Sequence, residues 1–168
     1  MSRPLSFALA ATLLLSLGTA RAEPPRFQLE GNALVLPSPI VFEAGGEKLA
    51  PQSEGVLAHV KAYFEAKSYI SLMRVEAHTD STGEAAQNQA LSERRALAVA
   101  RALIARGVDC KRLIAVGFGA DKPVAANDSP EGKAKNRRVE FINAELRGRP
   151  IGGMPVDGGG AVAGALCP

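Results

Sequence analysis

A carboxylate and a guanidinium that flank one predicted turn are the residues best suited to bind a charged ligand. Asp80 lies in the polar run of residues 79–83, and Arg95 lies on the helix predicted to follow. An aspartate accepts hydrogen bonds from an ammonium, and an arginine offers a planar pair of donors to a carboxylate. If both side chains face one cavity, they could bind an amino-acid zwitterion. For an arbitrary pair at this separation the structural interpretation carries more weight, with Asp80 capping a helix and Arg95 on the surface.

The elements on either side of this turn follow from the spacing of apolar residues. Residues 70–78 alternate between apolar and polar side chains, which predicts a strand with one buried face. The next segment predicts a helix over 84–106 that ends at Gly107, with one of three polar residues as its cap: Asp80, Ser81 or Thr82. One face of that helix carries four residues at spacings of three and four: Asn88, Leu91, Ser92 and Arg95.

The rest of the chain supplies the other elements of one domain. Residues 51–67 have the apolar stripe of a helix, and residues 113–118 and 138–146 are predicted strands. Residues 33–42 are a strand candidate interrupted by two prolines, which indicates an edge position or a split strand. Residues 120–135 are expected to be an irregular connection. This succession predicts an α+β fold in two layers, with helices on one face of a sheet.

Several spaced motifs match one known family. They are His78-Thr79-Asp80 with Gly83, then Asn88, Leu91-Ser92 and Arg95-Ala96, and finally Asn136-Arg137-Arg138-Val139-Glu140. Together they closely resemble the OmpA-like C-terminal, peptidoglycan-binding domain, whose pattern is G-H-T-D-x-x-G, N-x-x-L-S-x-x-R-A and N-R-R-V-E. The resemblance runs from about Ile40 to Leu146. Ala77 stands where the family usually has glycine.

The resemblance implies a fold and a function. The fold would be a mixed four-stranded sheet in the order β-α-β-α-β-β. The function would be non-covalent binding of cell-wall peptidoglycan through the diaminopimelate of its stem peptide. Carried over residue by residue, Asp80 would accept the ammonium and Arg95 would hold the carboxylate. The other implied ligand-binding residues are Asn88, which would contact the ligand or position Arg95, then Arg137, Gly45 (through its backbone), Thr79 and Leu91.

One other function remains open, and a third, catalysis, is rejected. The chain could be a periplasmic scaffold or adaptor that binds an envelope protein instead of peptidoglycan, although such a scaffold has no need of both Asp80 and Arg95. An enzyme would require a nucleophile or a metal set. Adjacent strand residues do not supply triad geometry, no G-x-S-x-G elbow is present, and the two histidines, His59 and His78, have no partner at ligand spacing. We therefore predict no catalysis, no metal and no cofactor.

The ends of the chain predict export. Residues 1–22 combine a basic residue, a short apolar stretch and an A-x-A-type cleavage site, as in a secretory signal peptide. Residues 23–147 would form the domain, and residues 148–168 a flexible glycine-rich tail with little to pack. We expect the mature protein in the periplasm, in association with the outer membrane or free of it. It should have no membrane span, and no cysteine follows the cleavage site to carry a lipid anchor.

The charge excludes one class of binding partner, and the cysteines indicate how the chain is crosslinked. The chain has 20 basic and 17 acidic residues. Two of the basic ones lie in the predicted signal, so the mature chain is near neutral and no nucleic-acid partner is expected. The two cysteines, Cys110 and Cys167, favour an intramolecular disulfide in an exported protein. The alternative is that Cys167 stays free or pairs with another chain.

Overall fold

The computed structural model describes residues 26–168, and the predicted signal peptide lies outside them. The elements in chain order are β1 (Leu29–Glu30), β2 (Ala33–Leu34), α1 (Glu54–Ala66), β3 (Ile70–Ala77), α2 (Ala85–Ala105), β4 (Leu113–Gly117), α3 (Pro130–Asn136), β5 (Val139–Leu146), β6 (Arg149–Pro150) and β7 (Ala161–Val162). None of the described helices is long and apolar enough to cross a membrane.

The strands form one mixed sheet in the order β1-β2-β5-β3-β4-β7, with β6 paired to β5. Strand β3 lies at its centre, parallel to β4 and antiparallel to β5. Strands β2, β3, β4 and β5 reproduce the predicted four-stranded sheet and its order, and the predicted α+β class is confirmed. Three strands of two residues each, β1, β6 and β7, extend it.

Helices α1 and α2 cover one face of the sheet. The side chains that alternate along β3 explain this, because Met73, Val75 and Ala77 are all fully buried beneath the helices. Val75 lies opposite Phe141 of β5, so both strands contribute to the same layer of the core. The helices contribute the facing apolar residues: Val56, Leu57, Val60, Ala96, Val99 and Leu103.

Two local predictions are wrong. The segment 120–135 is not wholly irregular, because α3 begins at Pro130 after Ser129 accepts a hydrogen bond from Gly132 N. This helix has no apolar stripe, so periodicity could not reveal it. Helix α2 also lacks the predicted side-chain cap: its N-cap residue is Glu84, which makes no capping hydrogen bond. The strand candidate 33–42 is split as its prolines indicated, with only β2 and an isolated bridge at Phe42.

The tail is packed, contrary to the prediction that it has little to pack against. Strand β7 pairs antiparallel with β4, and Ala163, which follows it, is buried. The predicted disulfide between Cys110 and Cys167 is present and fastens the end of the tail to the segment before β4. The prediction took the glycines as a sign of flexibility. Here they allow the backbone of the tail to approach the sheet closely, which glycine also makes possible.

Candidate ligand-binding site

The turn that carries Asp80 is fixed between the ends of two neighbouring strands. His78 N donates to Arg138 O at 2.9 Å, and Thr79 N donates to Gly119 O at 2.8 Å. The first bond ties the turn to the start of β5, and the second ties it to the segment after β4. The end of β3 therefore brings the residues after it to a defined edge of the sheet.

Asp80 is buried and its carboxylate is already paired. Its Oδ1 accepts from Thr82 N at 2.8 Å, and its Oδ2 accepts from Arg137 Nη1 at 2.6 Å. Burial acts to raise the pKa of Asp80, but these hydrogen bonds outweigh it and the pKa is lowered. Asp80 is therefore an anion near neutral pH, held by the turn on one side and by Arg137 on the other.

Asn88 holds this turn in place. Its Nδ2 donates to Asp80 O at 3.3 Å and to Thr82 O at 3.0 Å, so α2 is attached to the turn at its first full turn of helix. The Asn88 side chain therefore fixes the backbone that carries Asp80, and it does not hold Arg95. An asparagine satisfies two carbonyls here because its amide carries two donor hydrogens.

Arg95, on helix α2, contacts the loop that contains Phe42 and Gly46. Its Nε donates to Gly46 O at 2.9 Å, and its guanidinium carbon lies 4.8 Å from the centre of the Phe42 ring. Burial lowers the pKa of Arg95, and the neighbouring charge of Arg137 adds to that effect. Among the described residues, none accepts a hydrogen bond from its terminal Nη atoms. Both terminal nitrogens of a charged, half-buried guanidinium are thus available to a ligand.

A cavity of about 490 Å³ opens beside these arginines. Its lining consists of residues 39–45, His78, Arg95, Ala134, Arg137 and Arg138. Glu43, the one acidic residue of the lining, pairs with Lys48 at 2.8 Å. The cavity is therefore rich in cationic groups, and it suits a ligand that carries carboxylates.

The predicted site residues divide between this cavity and its surroundings. Gly45, Arg95 and Arg137 line it, while Gly45, Asn88 and Leu91 line a neighbouring cavity of about 380 Å³. Thr79 and Asp80 line neither, and Asp80 reaches the first cavity through its bond to Arg137. Most of the predicted residues therefore lie in two cavities that share Gly45. Asp80 lies behind Arg137 and does not line either cavity.

The sequence did not reveal the apolar wall of the cavity. Residues 39–42 form that wall, and Phe42 supports the guanidinium of Arg95. The signal was present in Pro37 and Pro39, because prolines at this spacing interrupt a strand and favour an irregular segment. Arg138, which was not among the predicted ligand-binding residues, also lines the cavity.

A charged network lies behind the cavity, on the face of the sheet opposite the helices. His78 Nε2 lies 3.5 Å from a Glu76 oxygen and 3.4 Å from a Glu140 oxygen. The statement that His78 has no partner at ligand spacing is therefore wrong, since three donor atoms lie within 4.8 Å of one another. The second oxygen of each carboxylate pairs with an arginine, Arg74 for Glu76 and Arg138 for Glu140. This pairing favours a charge-balanced network over a cation site.

The network predicts a pH dependence of stability. The contact with His78 and the ion pair with Arg138 lower the pKa of Glu140 to about 2, against the effect of burial. A carboxylate with a lowered folded-state pKa stabilises the protein above its unfolded pKa, and that contribution is lost as the pH falls towards 2. We expect Glu140→Gln to remove about 2 kcal/mol of unfolding free energy at pH 7, after discounting for partial exposure, and to leave little difference near pH 2.

Urea unfolding at pH 7, 5, 3 and 2 measures this effect. Glu30→Gln, on the exposed strand β1, is the matched control and should change the unfolding free energy little at any pH. A Glu140→Gln difference that stays constant over this range would show that the carboxylate does not contribute through its charge.

The fold and the site define a class: a small two-layer α+β domain that presents a cationic cavity at one edge of its sheet. A model of the OmpA family matches residues 41–137, and the chain belongs to that family. The predicted resemblance is thereby confirmed. The family is non-enzymatic, which confirms the prediction that the chain is not an enzyme.

Named relatives extend the comparison. The chain is 40% identical over 114 residues to the “Probable lipoprotein YiaD” of Escherichia coli, covering 67% of this chain and 51% of YiaD. It is 40% identical over 108 residues to the “Peptidoglycan-binding protein ArfA” of Mycobacterium tuberculosis, covering 62% of this chain and 32% of ArfA. The chain thus spans about half or less of each relative's length.

A solved structure agrees with the fold. The peptidoglycan-associated lipoprotein of Burkholderia pseudomallei superposes with a TM-score of 0.56 at 29% identity, covering 61% of this chain and 86% of that one. The tail beyond β5 extends past the residues that the family model matches.

Proposed function

We propose that this protein binds cell-wall peptidoglycan non-covalently and reads the diaminopimelate of the stem peptide. The observation that carries the proposal is the cavity between Arg95 and Arg137, with the buried carboxylate of Asp80 immediately behind Arg137. The side-chain end of diaminopimelate carries an ammonium and a carboxylate, and this site offers one acceptor anion and two guanidinium donors. The names of ArfA and the Burkholderia lipoprotein support peptidoglycan as the ligand.

The ammonium would be accepted by Asp80. Each carboxylate oxygen has two lone-pair directions, and Oδ2 uses one of them for Arg137. Arg137 is about half exposed, so it can turn towards the cavity as the ammonium approaches. The same movement would direct its remaining donors at a ligand carboxylate.

The carboxylate would be held by the terminal nitrogens of Arg95. The bond to Gly46 and the contact with Phe42 fix the guanidinium before the ligand arrives, which reduces the entropy lost on binding. Gly45 and its neighbours would contribute through backbone, and Asn88 through the turn that it fixes. Leu91 and Thr79 would act at the rim of the site and beneath it.

Export to the periplasm belongs to the same proposal. Peptidoglycan lies there, the signal peptide is predicted from residues 1–22, and YiaD is named as a lipoprotein. An association with the outer membrane, or with another envelope protein, would place the domain beside the wall. Neither is needed for the site itself to bind.

Co-sedimentation with purified diaminopimelate-type peptidoglycan tests the role of Arg95. We expect Arg95→Ala to weaken binding about tenfold to a hundredfold, the range for a lost hydrogen bond to a charged group. Arg101→Ala is the matched control, because Arg101 is an exposed arginine of the same helix α2. If the two variants bind alike and both are folded, the carboxylate is not held by Arg95.

A further inference from the structure

The C-terminal tail crosses the face of the sheet that α1 and α2 leave uncovered, and we call residues 155–163 the strap. Arg74 Nη1 donates to Val156 O at 2.7 Å, and Lys122 Nζ donates to Gly158 O at 3.1 Å. Ala163 N donates to Ala115 O at 2.9 Å, beside the short ladder between β7 and β4. The strap is therefore attached at its start, middle and end.

Two glycines set how closely the strap lies on the sheet. A Cβ atom at Gly158 would be 2.7 Å from Arg74 Cζ. A Cβ atom at Gly160 would be 2.5 Å from Val116 Cγ1 and 2.7 Å from Phe118 Cε1. A Cβ at Gly160 would therefore force Val116 or Phe118 to shift, whereas at Gly158 the end of the Arg74 side chain would have to move and the φ of +64° itself favours glycine. The strap therefore packs closely against Arg74, Val116 and Phe118.

Both contacts lead to the same histidine. Arg74 pairs with Glu76, whose other oxygen lies 3.5 Å from His78 Nε2. The Phe118 ring stacks on the imidazole of His78, with ring centres 5.3 Å apart and planes within 10°. His78 in turn lines the cavity beside Arg95 and Arg137. One side chain therefore touches both the residues beneath the strap and the cavity.

We propose that the strap positions His78 in the wall of the cavity, and that the disulfide between Cys110 and Cys167 holds the strap in place. His78 is thus a positioning residue. The consequence for ligand binding rests on the proposed function, whereas the positioning itself does not. Removing the disulfide would free the far end of the strap, which is otherwise attached by a few hydrogen bonds and the burial of Ala163.

Histidine side-chain NMR spectra test the positioning directly, because the chain has only two histidines. His78 is the reporter, and His59, on α1 with its ring 5.1 Å from that of Phe27, is the internal reference. A variant His59→Gln assigns the two sets of signals, and the protein is purified without a histidine tag. We compare the wild type with Gly160→Ala and with the double variant Cys110→Ser/Cys167→Ser.

We expect the ring signals of His78 to shift in both variants while those of His59 stay in place. Ala161→Ser is the matched control, since Ala161 is the neighbour of Gly160 in the strap and its side chain is exposed. It should leave both histidines unchanged. Amide exchange of Ala163 should also become faster in the double variant. Unchanged His78 signals in Gly160→Ala and in the double variant would overturn the proposal.

A sedimentation assay on the same variants tests whether the positioning serves binding. We expect Gly160→Ala to bind diaminopimelate-type peptidoglycan between about two- and thirtyfold more weakly, the range for contacts that act on a site through intermediate side chains. A shifted His78 with undiminished binding would overturn the link to the site. If the wild type itself does not sediment, the proposed function fails, and the NMR comparison still decides whether the strap positions His78.

Discussion

Replacing Asp80 by asparagine is expected to weaken binding to diaminopimelate-type peptidoglycan by at least about thirtyfold, because it removes the anion that we propose accepts the ligand ammonium. Asparagine has nearly the same shape, and its carbonyl can still accept the hydrogen bond from Thr82 N. Arg137 would lose its charged partner and remain as an unpaired cation facing the ammonium. Loss of attraction and new repulsion therefore act in the same direction. Co-sedimentation with a dilution series of peptidoglycan measures the change in Kd.

The control for this variant is Asp121→Asn, which removes the charge of an exposed aspartate. It should bind as the wild type does. Urea unfolding of Asp80→Asn separates a binding defect from a folding defect. A folded Asp80→Asn protein that binds at full strength would leave Asp80 with a structural role only, as a residue that orders its own turn.

Removing the disulfide should cost the protein about 4 kcal/mol of unfolding free energy. Cys110 and Cys167 are 57 residues apart in sequence, and a crosslink over a loop of that length restricts the unfolded chain by about this amount in the chain-entropy model. We expect the double variant Cys110→Ser/Cys167→Ser to show the loss in urea unfolding at pH 7. The double variant avoids the reactive thiol that a single substitution would leave.

The strap adds a second part to this expectation. Where it unfolds before the rest of the domain, the transition of the double variant should be broader or occur in two steps when followed by different probes. A loss below about 1 kcal/mol would mean that the unfolded chain is already compact enough for the crosslink to restrict it little.

Local periodicity was enough to predict the central elements. Alternation along β3 and the spaced apolar residues of α2 both reflect burial against one layer, so each could be seen in its own segment. Gly107 ends α2 as predicted, with a φ of 95° that favours glycine. These features depend on near neighbours in sequence.

The features that escaped prediction depend on distant parts of the chain. The bond between Asp80 and Arg137 exists because Ala77 lies opposite Val139 across β3 and β5, so the residues beyond both ends meet. The packing of the strap depends on Gly158 lying close against Arg74 and on Gly160 lying close against Phe118, and both of these sheet-side residues are distant in sequence. Neither feature leaves a periodic pattern, and a glycine-rich segment has the same composition whether it is packed or free.

The position of Asp80 has a consequence for ligand selection. Because Arg137 already neutralises it, the cavity carries an excess of positive charge in Arg95. A ligand that carries only an ammonium has no negative group to pair with the charge of Arg95. The lysine side chain of a lysine-type stem peptide ends in such an ammonium, whereas diaminopimelate adds the carboxylate that Arg95 would hold.

The most direct measurement of the proposed function is the affinity of the wild-type protein for diaminopimelate-type and lysine-type peptidoglycan, compared by co-sedimentation at one ionic strength. We expect binding to the first and at least about tenfold weaker binding to the second, because lysine cannot form the proposed bond between a ligand carboxylate and Arg95. Equal affinity for both walls would contradict the reading of diaminopimelate by Arg95. Binding to neither wall by a folded protein would contradict the function itself and favour a scaffold for a protein partner.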